Sequence, residues 1–293
     1  MSNYQLSLPK RFGGQAILNL RFRIYFIAVF CVFAGCSALF AQNAGYQRII
    51  SLGPAITRQI SLLEAEDKVI GVTAYCQIKD KEIVGTITNT NIEKTLLLKP
   101  DMVLATRLTN IKTIQRLKKL GINVAVFDEV KSFSQLCKDF LRLARIVGKE
   151  KLGNKIISDA NEKVFELSLK NRDLPKKKVI VQIGASPLWV AAKNSLISEF
   201  IKLAGGINAG PAGENGLVGR EYVVRQNPDV IIIIEMGMLA EEETEKWMKL
   251  DTINAVKQKK IYIFDSYDIC SPTPLSFVKT LEELSEIFHS ETE

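Results

Sequence analysis

Two strands in this chain are written without alternation. Residues 101–105, "DMVLA", and 229–234, "DVIIII", are continuous apolar runs. Such runs belong to strands buried on both faces, which means parallel sheets held between layers of helix. Each run follows a proline, and each proline follows a glutamate by seven residues, in "EKTLLLKPDMVLA" (93–105) and "EYVVRQNPDVIII" (221–233). Strand openers keep nearly the same offset: "RIISL" begins at Arg48 and "KVIVQI" at Lys178. Two matches in the same order point to two related lobes.

Each half reads as strand, loop, helix, strand. "RIISL" leads through "GP" to the helical pattern "AITRQISLLEAE" and the strand "KVIGVTA", and "KVIVQI" leads through "GASP" to the helical pattern "NSLISEFIKLAG". "NVAVF" and "KIYIF" add a further buried strand to each half. Between the halves, residues 149–172 form a long amphipathic pattern with Ile156, Ile157, Val164, Leu167 and Leu169 among charges, which Pro175 stops. The expected architecture is α/β: two three-layer lobes with mainly parallel sheets, residues 46–148 and 176–293, joined by one long α-helix at 149–173, with a ligand cleft between the lobes.

The first 41 residues differ in character. Lys10, Arg11, Arg21 and Arg23 stand without an acid, followed by the apolar run "IYFIAVFCVFAG" and the small-residue segment "CSALFA", the order of a secretory signal peptide. Export to the periplasm with cleavage after Ala41 is expected. Reading "FAGC" as a lipobox, with Cys36 carrying a lipid anchor, is the alternative. These four cations supply more than half of the net charge of +7, so the basic balance makes no case for nucleic acid.

Beyond the leader, Cys76, Cys137 and Cys270 have neither a disulfide framework nor zinc spacing. Cys137 sits in the helical run "SFSQLCKDFLRLARIVG" as a small core residue. The single histidine, His289, argues against an imidazole metal site and against His-activated nucleophiles. No catalytic residue, resident metal or cofactor is expected. "GGINAGPAGENG" is glycine-rich but follows a helix instead of opening one, so it is a poor phosphate loop.

Loops at the carboxyl ends of the strands carry the expected contacts: "GPAIT" (53–57), "AYCQ" (74–77), "TITNTN" (86–91), "ATRLTN" (105–110), "GASPLW" (184–189), "GPAGENGLVGRE" (210–221), "EMGM" (235–238) and "DSYDICSPTP" (265–274).

With these motifs in place, the mature chain resembles the periplasmic substrate-binding proteins of ABC importers for cobalamin, haem and iron-siderophore complexes. The likeness runs from "RIISLGPAITRQISLL" through "VIGVTAYC", "NIEKTLLLKPDMVLAT", "LKKLGINVAVFD", "ASPLWVA" and "GREYVVRQNPDVIIII" to "LEELSEIFH". It implies binding without catalysis by a monomer, delivery of a metal chelate to an ABC permease and its ATPase, and permease docking through Glu93 in "NIEK" and Glu221 in "GREY". Tyr75, Trp189 and Asp265 match ligand contacts of the cobalamin-binding branch, while Ile87, Thr106 and Asn215 stand where that branch carries aromatics. Pro54 and Cys76 fall in the same cleft loops. Arg107 and Arg220 are candidates for anionic ligand groups, because a guanidinium presents a fork to carboxylate or phosphate oxygens. A sensor or an enzyme on the same two-lobed fold is the competing reading.

Overall fold

The protein is described here by a computed structural model covering residues 45–235 and 240–289. The expected leader, Ala41 and Cys36 lie outside the described residues, as does most of the "EMGM" loop.

Five strands build the first lobe: β1 (Ile49–Ser51), β2 (Val69–Val72), β3 (Glu82–Ile83), β4 (Met102–Thr106) and β5 (Val124–Phe127). They lie in the order β3-β2-β1-β4-β5, all pairings parallel. Interleaved are α1 (Pro54–Leu62), α2 (Ile92–Leu97), α3 (Ile111–Lys119) and α4 (Phe133–Ile146). Ile49 and Leu104 enter a core on one face of the sheet, and their neighbours Ile50 and Val103 enter a second core on the other. Successive side chains of a strand point to opposite faces, so an uninterrupted apolar run is what a sheet covered on both sides requires.

After α5 (Glu150–Asn171), the second lobe contains β6 (Lys177–Ala185), β7 (Leu188–Val190), α6 (Leu196–Leu203), β8 (Gly206–Asn208), α7 (Arg220–Gln226), β9 (Val230–Glu235), α8 (Ala240–Met248), α9 (Asn254–Lys257), β10 (Ile261–Asp265), α10 (Ser266–Cys270) and α11 (Pro274–His289). The order is β10-β9-β6-β7, with β8 also paired to β6. β7 is antiparallel and the other pairings are parallel. Along β9, Val230, Ile232 and Ile234 enter one core while Ile231 and Ile233 enter another. The expected pair of three-layer α/β lobes is present.

The lobe junction is thicker than one helix. The 22 residues of α5 span about 33 Å at 1.5 Å each. Its Ile156 packs into the first-lobe core, and Ala160 and Val164 pack into the second. α4 divides likewise: Phe140, Leu143 and Ala144 serve the first lobe, while Phe133, Leu136 and Cys137 serve the second. Phe133 lies 4.5 Å from the Phe277 ring, which stacks on Phe200 at 3.9 Å. Glu199 of α6 accepts a hydrogen bond from the Phe133 backbone N–H at the start of α4. Cys137 is core, as its apolar context implied, and its thiol is pushed up to about 11 by burial and then by the nearby Glu199 charge. Two helices with shared packing resist bending more than one linker strand would.

The repeated glutamate-to-proline stretch is a repeated corner. α2 and α7 run into left-handed residues, Lys99 (φ 48°) and Asn227 (φ 47°), each followed by a buried proline that cannot continue the helix. The aspartate after it then ties two strands together. Asp101 accepts hydrogen bonds from the Gln47 and Arg48 backbone N–H groups at 2.8 and 2.9 Å, and its own N–H donates to Arg48 O at 3.0 Å. In the second lobe Asp229 accepts from Lys178 N at 2.8 Å, and its N–H donates to Lys178 O at 2.8 Å. The same side chain makes the same exchange with the opening residue of each lobe, which is why Pro-Asp occurs twice.

Candidate functional site

In the first sheet the chain leaves β1 in one direction toward β2 and β3, then returns on the other side through β4 and β5. Between β1 and β4 is therefore the point where connections diverge, and ligands of open α/β sheets sit outside the strand ends there. Gly53 and Pro54 follow β1, and Thr106 and Arg107 end β4. The two ends are close: a Cβ on Gly53 would lie 2.6 Å from Thr106 Cγ2, so glycine permits the contact. Pro54 starts α1, where its fixed φ suits the first helical turn and its missing N–H costs nothing.

Two adjoining chambers open beside this point. One, of about 490 Å3, is lined by α1, by Thr106 to Leu108, by the Phe127 to Val130 loop, and by Asp139 and Leu143 of α4. The second, of about 310 Å3, shares Ala55, Gln59, Asp128, Glu129 and Val130 and continues into the second lobe against Ile183, Leu196, Ile197, Ile269 and Cys270. The cavity is mostly apolar and crosses the lobe junction, with a few polar groups converging on it, as binding sites commonly do.

Polar contacts bridge the lobes on both sides of the cavity. Arg58 of α1 donates to Tyr267 O at 2.6 Å and Ser271 O at 3.3 Å, and pairs with Asp268 at 3.0 Å. The Tyr267 hydroxyl donates to Tyr75 O at 3.3 Å. On the other side Lys131 donates to Glu214, holding that carboxyl below its ordinary value, and Asn194 donates to the same oxygen at 3.0 Å.

The residues expected from the sequence are distributed unevenly around this cavity. Thr106 and Arg107 line it, and Arg107 lies 3.9 Å from Glu129. Pro54 is half-buried beside the lining residue Ala55. Tyr75 is exposed at the lobe seam. Cys76 is half-buried on the first-lobe core, where its sulfur accepts from Thr57 at 3.1 Å and lies 3.3 Å from the Thr73 hydroxyl. Ile87 is half-buried in the turn between β3 and α2. Trp189 projects from β7 with 39 % exposure, bridged to Leu217. Asp265 caps α10 by accepting from Tyr267 N at 2.6 Å, and it lines a separate acidic hollow with Asp268, Glu283 and Glu286. Cys76 and Cys270 are both free thiols. Cys270 lines the second chamber, and burial pushes it up to about 11.

Arg220 is committed inside the second lobe. It pairs with the buried Glu243 at 2.6 Å, and its guanidinium carbon lies 4.3 Å from the Trp247 ring centre. Gln182 donates to Glu243 at 2.7 Å and accepts from Trp247 Nε1 at 2.6 Å. That network explains why a basic residue stands there without invoking an anionic ligand.

Gln59, Asp128, Glu129 and Val130 were not among the expected contacts. The loop after β5, "DEV", carries the same positional signal as the loops that were, since it follows the carboxyl end of a parallel strand. Gln59 gives no such signal, because a polar residue on an amphipathic helix reads as solvent-facing. Among the described residues no group of three or more His, Cys, Asp and Glu side chains could hold a metal ion.

Glu93 and Glu221 are exposed and occupy the second position of α2 and α7. The two helices begin differently. Asn91 caps α2 by accepting from Lys94 N at 2.8 Å, whereas Gly219 offers α7 no side-chain cap. Replacing Asn91 by Ala is expected to cost about 1 kcal/mol in urea unfolding, the usual value of an N-cap. A loss below about 0.3 kcal/mol would show that the cap contributes little.

Residues 49–267 match a family described as periplasmic binding protein. The chain is 28% identical over 260 residues to YvrC, an uncharacterized ABC transporter substrate-binding lipoprotein of Bacillus subtilis (strain 168), covering 84% of this chain and 81% of that one. It is 29% identical over 194 residues to a vitamin B12-binding protein of Yersinia pestis, covering 64% and 69%. Among solved structures, the periplasmic heme-binding protein RhuT from Roseiflexus sp. RS-1 in apo form superposes with a TM-score of 0.74 at 22% identity, over 84% of this chain and 98% of that one.

Proposed function

Because the chain belongs to the periplasmic binding protein family, we propose that it captures a metal chelate of corrinoid, haem or ferric-siderophore type and delivers it to an ABC permease and its ATPase, binding without catalysis. The observation that carries this reading is the matched pair of Glu93 and Glu221. They sit at the same position of equivalent helices, one on each lobe, so a partner that reads both reads the spacing of the lobes and hence the state of the cleft between them. Relatives named for vitamin B12 and heme support the ligand class.

The protein acts as a monomer after export. The lipoprotein relative from Bacillus supports retention at the membrane through Cys36 as the form of that export. Ligand meets the chambers at Thr106 and Arg107, with Tyr75 and Trp189 offering apolar faces at the cleft margin.

Native mass spectrometry of the purified protein offered cobalamin, haem and ferric siderophores in turn tests the ligand class. One-to-one binding of at least one chelate is expected. Retention of none of them, with a metal-free organic solute bound instead, would overturn it.

A further inference from the structure

We propose that the cavity at the lobe junction reads its ligand through Gln59 and selects chelates that present amide or ammonium donors over chelates that present carboxylates. The inference rests on the chelate-binding reading above and narrows its ligand class.

Gln59 is 8% exposed and lines both chambers. Among the described residues its side chain has no hydrogen-bond partner. Its neighbours on α1 are satisfied within the protein, Arg58 by the second lobe, and Thr57 by Ser51 at 2.9 Å and Gly53 O at 3.1 Å. Its amide atoms are not sealed off, so they stay accessible from the cavity. An unpartnered amide that faces a cavity is placed to bond whatever fills that cavity. It can donate and accept, so alone it sets no preference for the sign of the ligand.

The surrounding charges set that preference. Asp128, Glu129 and Asp139 line the first chamber. Burial pushes the Asp139 carboxyl up, Arg142 opposes that, and the charge of Asp128 adds to it. Three cations around the chambers are tied to other groups. Arg58 is held by Asp268, Lys131 by Glu214, and Arg142 by Val126 O at 2.9 Å and the Phe127 ring. Arg107 lines the chamber, with Glu129 3.9 Å away. A ligand carboxylate entering here lies beside three acids, and Arg107, the guanidinium that lines the chamber, already faces Glu129. A ligand amide or ammonium meets acceptors that hold their lone pairs free, and charged acceptors form the stronger hydrogen bonds.

Titration calorimetry on the purified wild-type protein with four probes tests this: dicyanocobinamide and ferrioxamine B, which carry amides or an ammonium, against dicyanocobyrinic acid and haem, which carry carboxylates. The donor-bearing probe that binds is expected to exceed its carboxylate counterpart by at least about tenfold in affinity. Gln59→Leu, nearly isosteric, is expected to weaken that probe about tenfold while leaving the thermal midpoint nearly unchanged, since the amide bonds no group of the protein. Asp128→Asn should narrow the preference between the two probe classes. Equal or tighter binding of the carboxylate probes overturns the selectivity while leaving chelate binding intact. Unchanged affinity in Gln59→Leu overturns the role of Gln59. Binding of no probe overturns the chelate reading itself.

Discussion

With Glu93→Arg and Glu221→Arg introduced together, chelate uptake by cells is expected to fall to background while the purified protein binds its ligand as tightly as before. The two readouts separate because of where the residues lie. Both carboxylates are exposed in the first turns of short helices at the outer corners of the sheets, and neither lines the chambers. Their favourable interaction with the helix N-termini is worth about 0.3–1 kcal/mol each at exposed positions, so reversal costs the fold little. Against a basic docking surface on a permease, the same reversal turns attraction into repulsion at two points, one on each lobe, which acts on encounter and on orientation. Each single reversal should leave intermediate uptake, because one contact still holds one lobe. Wild-type uptake in the double variant would end the docking assignment, and loss of ligand affinity in solution would show that the helices carry the site instead.

How far the sequence determines this molecule depends on whether a residue's partners are near it in the chain. "DVIIII" can be a doubly covered strand and little else, and it is one, because continuous apolarity has a single inexpensive solution in an α/β lobe. The Pro-Asp corners were legible as a repeat, but their purpose was not: Asp101 bonds Arg48, and Asp229 bonds Lys178, across strands whose pairing has to be known first. Arg220 shows the same dependence. A lone arginine after a glycine-rich loop reads as a ligand contact, and the groups that hold it, Glu243 and Trp247, lie 23 and 27 residues after it. Trp189 and Tyr75 stood out because they are aromatic and follow strand patterns in the sequence, although Trp189 lies in β7 itself. Gln59 did not, since what singles it out is the lack of a partner in three dimensions. The junction shows the same limit: Phe133 and Phe140 look alike on α4, yet they enter the cores of different lobes.

Removing Glu243 should destabilise the second lobe more than removing Arg220. Glu243 is 3% exposed at its side chain and joins three donors, Arg220, Gln182 and Lys246, the last at 2.7 Å. Glu243→Leu strands the Arg220 fork, whose Nη1 is already buried without a partner, and also the Gln182 amide. A loss toward the upper end of about 3–5 kcal/mol is expected. Arg220→Met leaves Lys246 and Gln182 on the carboxylate and keeps an apolar chain over the Trp247 ring, so its loss should sit at or below about 3 kcal/mol. In the combined variant the two costs should overlap, because the second change removes a group the first had already left unpaired, and a double-mutant cycle in urea measures that coupling. Acid should expose the same network. Burial disfavours the ionised Glu243, but hydrogen bonds from Lys246, Gln182 and Arg220 outweigh it and hold the carboxyl below the ordinary 4.5. A folded-state value below the unfolded one stabilises the protein above the unfolded value, and that contribution disappears as pH falls through the folded one. Wild-type stability should therefore drop more steeply below about pH 4.5 than that of Glu243→Gln. Parallel acid limbs for the two proteins would mean that the fold does not lower the Glu243 carboxyl, and the network would then add nothing to acid stability.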